Sequence, residues 1–520
     1  MDRNNTYGGF QGPPCPPPPY PQPYPQPYIP ASAAVPKVKE KPEYNKAEIV
    51  LSVFILIAAF CFVRYVLFHA MGFITTGVFA AIIIISAVYM KKKECSFSAF
   101  NKVLMVILFI FTIVFSITSN NLIKVLNALF LFGGISYLVY SVGAGNSGVE
   151  RYLPFALTKA VFEYPFSCFD KQAAITSDSL SKSKAGSNAK YIFIGLLLTV
   201  PLTAIVAALL MSADDGVERI LTNLADSIFS MEFWNVLIQL SLALPCSLYM
   251  FGMLYKNTHR KDIKVLDPQV CKQKIFNMRF VSNLVVYTAV TPICILYVMF
   301  FISQANYFLS AFSNDLPEGF TYADYARRGF FELFAVALIN LGVLVFMSLH
   351  SKKAGKEKPF ALKLYSIVLS VFTIILIATA MSKMVMYINR YGLTRLRVYT
   401  SWFMILLAFV FIMIIIKQFR FEMKFARNLA VIFTLMFAVL CFSRPEAVIV
   451  KYNIEMYRSG QLEELDKDSI LEMSDDGLLE ALREDAVTKE EVNENKYRSY
   501  ERYSYGRYNI SSIMVDMLTE

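Results

Sequence analysis

Arginine is the side chain best suited to holding an anion, because its planar guanidinium offers five donors and stays charged at any physiological pH. Three of them, Arg390, Arg395 and Arg397, fall close together in INRYGLTRLRVYTSWF, residues 388–403, between two apolar runs. Gly392 is placed to end one helix and Thr394 to start the next, which sets Arg395 and Arg397 in a first helical turn. Cations there oppose the helix dipole, so something negative is expected beside them: a phosphate, a lipid headgroup or the chain's own acidic tail. Simple anchoring of two span ends among headgroups is the competing reading.

Two other clusters could do chemistry. Asp214, Asp215 and Glu218 in SADDGVERI, residues 212–220, carry the hard oxygen ligands a divalent cation prefers. Capping of an outer amphipathic helix by Ser212 or Asp214 is the simpler account, since the spacing matches no complete metal loop. Arg328 and Glu332, four apart in YADYARRGFFEL, residues 322–333, make a helix-surface ion pair at a membrane edge or, with Asn340 further in, a polar cavity lining. Arg64 and Lys383 stand near the outer ends of apolar runs, where long cationic side chains snorkel to the interface; an intramembrane site is the alternative. No Walker-type glycine loop, CxxC pair or Cys/His metal spacing occurs, so no cofactor is expected.

The elements that must position these residues are membrane helices. Of 520 residues, 56% are hydrophobic and 17% charged, with a mean hydropathy of +0.47, far too apolar for a soluble chain of this length. About eleven runs are long enough to span: 48–68, 72–90, 103–119, 122–142, 191–211, 233–254, 281–304, 329–349, 361–383, 399–417 and 428–443. Their unbroken apolarity is not the alternation of a barrel, and open backbone cannot face lipid, so the class is all-α: a polytopic transmembrane helical bundle with a small helical tail. Pro201, Pro245 and Pro292, and the pair Gly133 and Gly134, fall inside spans and predict kinks with close packing, or else a substrate cavity.

Charge gives the orientation. The turns assigned inside carry Lys91 to Lys93, Arg260, Lys261, Lys264, Lys272, Lys274, Lys352, Lys353, Lys356, Lys358, Lys417, Arg420 and Lys424. The inner side holds about 30 Lys and Arg against about 8 outside before the tail, so the amino terminus is expected in and, with an odd span count, the carboxyl terminus out. The arginine trio is then on the side where basic residues are scarce. From residue 451 onward there are 9 basic and 17 acidic residues, so the net +10 is a topology signal and not a nucleic-acid footprint. Cys15, Cys95, Cys168 and Cys271 fall inside and Cys61, Cys246, Cys294 and Cys441 within spans, so no disulfide framework is expected.

Three regions follow. Residues 1–46 form a cytoplasmic, disordered Pro/Tyr-rich segment whose tract QGPPCPPPPYPQPYPQPYIP reads as polyproline II; it is a solvated spacer before the membrane, or a ligand for a cytoplasmic partner with an aromatic groove. No secretory leader is expected in this polar stretch. Residues 47–450 are the bundle, with an interfacial helix and a Ser/Lys tether in the 143–190 loop. Residues 451–520 are an acidic extracytoplasmic tail with helical periodicity in LEELDKDSILEM and DDGLLEALRED.

Four segments, LLMSADDGVERIL at 209–221, ARRGFFELFAVALINL at 326–341, INRYGLTRLRVYTSWF at 388–403 and KYNIEMYRSGQLEELD at 451–466, resemble a bacterial family of polytopic membrane proteins known as domain of unknown function 4153/4173. The resemblance runs from about the first span to about residue 485 and implies a multi-pass protein of the bacterial cell membrane with no activity attached. Two functional readings compete. In one the bundle transports or senses an anionic ligand at its outer face, with Arg390, Arg395 and Arg397 as charge complement and the acidic tail as a lid. In the other it is a transferase acting on a lipid-linked substrate through Asp214, Asp215 or Glu218. The first outer loop, His69 to Met71, is too short for the acidic motif such enzymes often carry there, so the non-enzyme reading is preferred. A third reading makes the bundle an anchor for a partner of the Pro-rich head.

Overall fold

The computed structural model describes residues 44–182, 231–259, 267–313, 322–352, 359–420, 422–494 and 506–520 and the isolated positions 203, 206, 210, 211, 216 and 219, with side chains except at 231–232, 304–313 and 322–329. Among these residues every regular element is a helix. In chain order they are α1 Lys46–Phe68, α2 Phe73–Lys92, α3 Ala99–Ile117, α4 Asn121–Gly143, α5 Lys171–Lys182, α6 Met231–Thr258, α7 Pro268–Asn277, α8 Asn283–Ser313, α9 Tyr322–His350, α10 Phe360–Tyr391, α11 Arg395–Phe419, α12 Phe425–Phe442, α13 Pro445–Arg458, α14 Lys467–Leu471, α15 Asp475–Arg483, α16 Lys489–Glu494 and α17 Ile510–Thr519. Ten of them, α1 to α4, α6 and α8 to α12, are long and apolar enough to cross a membrane. They correspond to ten of the eleven expected spans; the other, 191–211, apart from the isolated helical positions 203, 206, 210 and 211, the last stretch of the Ser/Lys tether and the Pro-rich head lie outside the described residues.

The helix limits follow from local chemistry. Asn45 caps α1 in a reciprocal box with Glu48, Asn120 caps α4, and Thr394 caps α11 through the Arg397 amide. Pro245 and Pro292 lie inside α6 and α8, which continue through them as membrane helices do when neighbours satisfy the freed groups. At Gly134 of α4 a Cβ would come within 2.5 Å of the Leu108 side chain of α3, the close packing a small residue permits.

The spans form two apolar cores. One is built from α1 to α4, α6 and α12, around Ile55, Ile83, Phe115 and Phe251; the other from α8 to α11, around Phe330, Leu369 and Phe411. The Trp402 indole of α11 donates to the Met436 carbonyl of α12 at 2.9 Å, joining them. Before α5, residues 153–167 form a broken helix with a π-helical turn at Lys159–Glu163, burying Ala156, Ala160 and Tyr164 and exposing Phe162 and Phe166, as an interfacial amphipathic segment does.

The turns sort to two ends. At one, the buried Glu48 carboxylate pairs with Lys93 and accepts the Tyr89 hydroxyl at 3.0 Å, and Lys182 bridges Asp178 at 2.6 Å. At the other, the turns α1–α2, α3–α4 and α10–α11 all meet a cap made of α13 to α17. The cap has its own core of Ile449, Val450, Leu479, Val492 and Val515, onto which Leu393 and Val398 pack. Its first helix starts at Pro445 and runs through Lys451, where the charge balance of the chain turns negative. The Thr488 amide caps Glu491 at 2.7 Å and holds that carboxyl below its ordinary range.

Seven cysteines are described and all are free thiols. Cys168 ends the broken helix where its backbone presses on Gly252 of α6, and Cys271 of α7 is buried beside Tyr137 and Tyr140; burial pushes both thiols up. Neither is therefore expected to react with a maleimide at neutral pH until the protein is denatured. Peptide-resolved mass spectrometry checks this, and labelling at the rate of a free thiol would contradict the packing.

Candidate functional site

The site begins where the backbone cannot continue. Gly392 stops α10 with φ 71° and ψ −175°, a conformation open to glycine almost alone, and its missing side chain leaves room for Asn453 of α13. The Asn453 amide takes both polar groups of the next residue, accepting the Leu393 amide at 2.7 Å and donating to its carbonyl at 2.9 Å. This fixes the α10–α11 turn on the cap and aims three arginines from one place.

Each finds a different partner. Arg390, on the last turn of α10, makes a 2.6 Å ion pair with Glu463, both side chains well exposed. Arg395, the first residue of α11, pairs through Nε with buried Glu446 at 2.8 Å and donates to the Glu472 carbonyl at the end of α14. Arg397 lies over the Tyr387 ring, 4.0 Å from its centroid, and spends Nη1 on the carbonyls of Tyr391, at 3.0 Å, and Gly392. The negative partner of Arg390 thus comes from the acidic tail that begins at residue 451, whereas that of Arg395 is Glu446, which precedes it.

Beneath them lies a polar layer that sequence reasoning missed. The Glu446 carboxylate, 3% exposed, sits at the amino terminus of α15, accepting the Ser474 amide at 2.7 Å, the Ser474 hydroxyl, and Asn120 Nδ2 at 2.8 Å. Asn120 also donates to the Tyr399 hydroxyl at 2.8 Å. Asp476, fully buried in the first turn of α15, accepts the Thr118 hydroxyl, the Ser119 amide at 3.2 Å and the Ser511 hydroxyl at 2.5 Å, and pairs with Arg444 at 3.3 Å. Arg444 has φ 49°, in the left-handed region where a Cβ crowds the carbonyl oxygen, and its Nη2 donates to Ser511 Oγ at 2.9 Å. The available signals were the polar turn TSNN at 118–121, the Arg-Pro step after α12 and the Asp pair after Ser474.

The remaining expected residues fall elsewhere. Glu332 stands at the start of the α9 span, where it interacts electrostatically with Lys383 of α10; Arg328 has no described side chain. Asn340 is buried and joins Tyr297 Oη at 2.7 Å to Thr373 Oγ1 at 2.9 Å, so it ties α8, α9 and α10 together. The Arg64 guanidinium, in the π-helical last turn of α1, donates to Gln239 of α6 at 3.2 Å. Asp214, Asp215 and Glu218 lie outside the described residues, and among the described residues no group of acidic, His and Cys side chains has a metal-holding arrangement.

Residues 103–484 match the family described as Domain of unknown function (DUF4153). The chain belongs to this family. The matched stretch contains Thr118, Asn120, the arginine trio, Arg444, Glu446 and Asp476, while Ser511 and the rest of α17 lie beyond it. No curated protein and no solved structure matches the chain. The apolar helices and the family together make this an integral, multi-pass membrane protein in contact with the lipid bilayer.

Proposed function

We propose that this family member sits in the bacterial cell membrane with its amino terminus in the cytosol and its cap outside, and that it transports or senses an anionic ligand at that outer face. Supporting this is the way Arg390, Arg395 and Arg397 converge on one turn at the bundle–cap junction, with carboxylates from the cap standing beside Arg390 and Arg395 where an external anion would bind. The Arg390–Glu463 pair is exposed on both sides and contributes little, so a stronger anion displaces it at small cost. Arg395–Glu446 is buried on the acidic side and holds the cap in register. On this reading the cap is a lid that occupies Arg390 and Arg395 in the absence of ligand.

Replacing all three arginines with glutamine is expected to abolish stabilisation of the detergent-purified protein by pyrophosphate, a compact polyanion. Saturating ligand at about 100 times its Kd should raise the unfolding free energy of the native protein by about 2.7 kcal/mol. Because Arg395 also docks the cap, the double variant Arg390→Gln with Arg397→Gln keeps that contact and should lose most of the response. A native protein indifferent to pyrophosphate, or a double variant that responds equally, would overturn the reading.

A further inference from the structure

Arg397 differs from its two neighbours in what it leaves unused. Both hydrogens of its Nη1 go to backbone carbonyls, and among the described residues Nε and Nη2 have no acceptor on the protein. That edge of the guanidinium is the one that forms two parallel bonds to a phosphate or carboxylate. It is held in place from behind, by the Tyr387 ring and the carbonyls of the α10–α11 turn, so little rotamer entropy remains to be lost on binding.

The surroundings say what kind of anion fits. Arg397 lines a cleft of about 240 Å³ with Phe330, Phe331, Met384, Tyr387 and Leu396. These residues come from the first turns of the α9 and α11 spans and the last two turns of α10, the level at which the bundle passes from apolar to polar. Phe331 and Leu396 are 46% and 58% exposed, so two apolar walls of the cleft are open to the surroundings of the bundle. A small hydrated anion has no use for two phenylalanines and a methionine. An amphiphile uses both halves.

We infer that the Arg397 cleft binds the phosphodiester headgroup of an anionic membrane lipid, with the phosphate on the Nε/Nη2 edge and the upper acyl chain against Phe330, Phe331 and Met384. This deepens the anion reading above, on which it rests, by naming the ligand class. A lipid-borne phosphodiester enters from the membrane side without moving the cap, whereas a soluble phosphate must compete at the cap-facing arginines.

Native mass spectrometry of the full chain from mixed micelles of phosphatidylglycerol and phosphatidylcholine tests it, with thermal unfolding in pyrophosphate run in parallel. Retention of phosphatidylglycerol is expected to fall about tenfold in Arg397→Gln, the loss of one charge-assisted pair, and to fall also in Phe331→Ala, while Arg458→Gln, which breaks only the pair with Glu484 within the cap, is unchanged. Phe331→Ala should leave any pyrophosphate response intact. Equal retention of the two lipids, or retention unaffected by Arg397→Gln, would overturn the lipid site. If pyrophosphate then still acted through Arg397, the outer-face anion reading would survive alone; if neither ligand responded, both would fall.

Discussion

Replacing Asp476 with alanine is expected to destabilise the cap–bundle junction by about 3–5 kcal/mol, the cost of removing one partner from a buried ion pair. Asp476 is fully buried and is the shared acceptor of the Thr118 and Ser511 hydroxyls, the Ser119 amide and the Arg444 guanidinium. Its loss leaves those donors unsatisfied and leaves Arg444, already in a left-handed backbone conformation, without the charge that holds it there. Asp476→Asn retains an acceptor oxygen and should cost less, about 2 kcal/mol. Ser511→Ala removes one hydroxyl and should cost about 1 kcal/mol. Thermal unfolding in detergent ranks the three, and hydrogen exchange of residues 445–494 and 506–520 reports whether the cap loosens first. A loss below that of Ser511→Ala would mean the carboxylate does not hold the junction.

Gly392→Ala is expected to cost about 3 kcal/mol from its backbone alone, since φ 71° with ψ −175° is a region that a Cβ makes strained. Added to this, the new methyl would come 2.5 Å from Asn453 Oδ1 and 3.3 Å from Leu462, so the amide that pairs with both polar groups of Leu393 must move. The two effects share one cause and will not be additive with Asn453→Ala, which by itself orphans the Leu393 amide and carbonyl for about 1–3 kcal/mol. A double variant no worse than Gly392→Ala is the expected result of the thermal measurement. If Gly392→Ala unfolds at the native temperature, the turn does not constrain the cap as described.

These two positions act on opposite halves of one clasp. Gly392 sets the direction in which the arginines leave the bundle, and Asp476 with Glu446 sets where the cap receives them. Glu446 is able to sit buried because each oxygen is occupied: Arg395 and Asn120 on one, the Ser474 amide and hydroxyl on the other. Arg397 takes no part in this closure: among the described residues its Nη1 is bonded to the carbonyls of its own turn.

Hydropathy and local capping chemistry determined the spans, the helical class, and the break at Gly392 with its restart at Thr394. All of these depend on residues within a few turns of one another, and a membrane helix satisfies its own backbone, so its existence needs no partner. The need for negative charge beside Arg395, in a first helical turn, was legible for the same reason. Which charge meets each arginine was not. Glu463 is 73 residues from Arg390, and Thr118 is 358 residues from Asp476, so these pairs exist only once α3, α4, α10, α11 and the cap helices have packed. The packing of α9 on α10 likewise brings Lys383, 51 residues away in sequence, to Glu332. Periodicity records which face of a helix is buried, but the partner across that face is fixed by how the helices pack, and that is where the chemistry of the junction was decided.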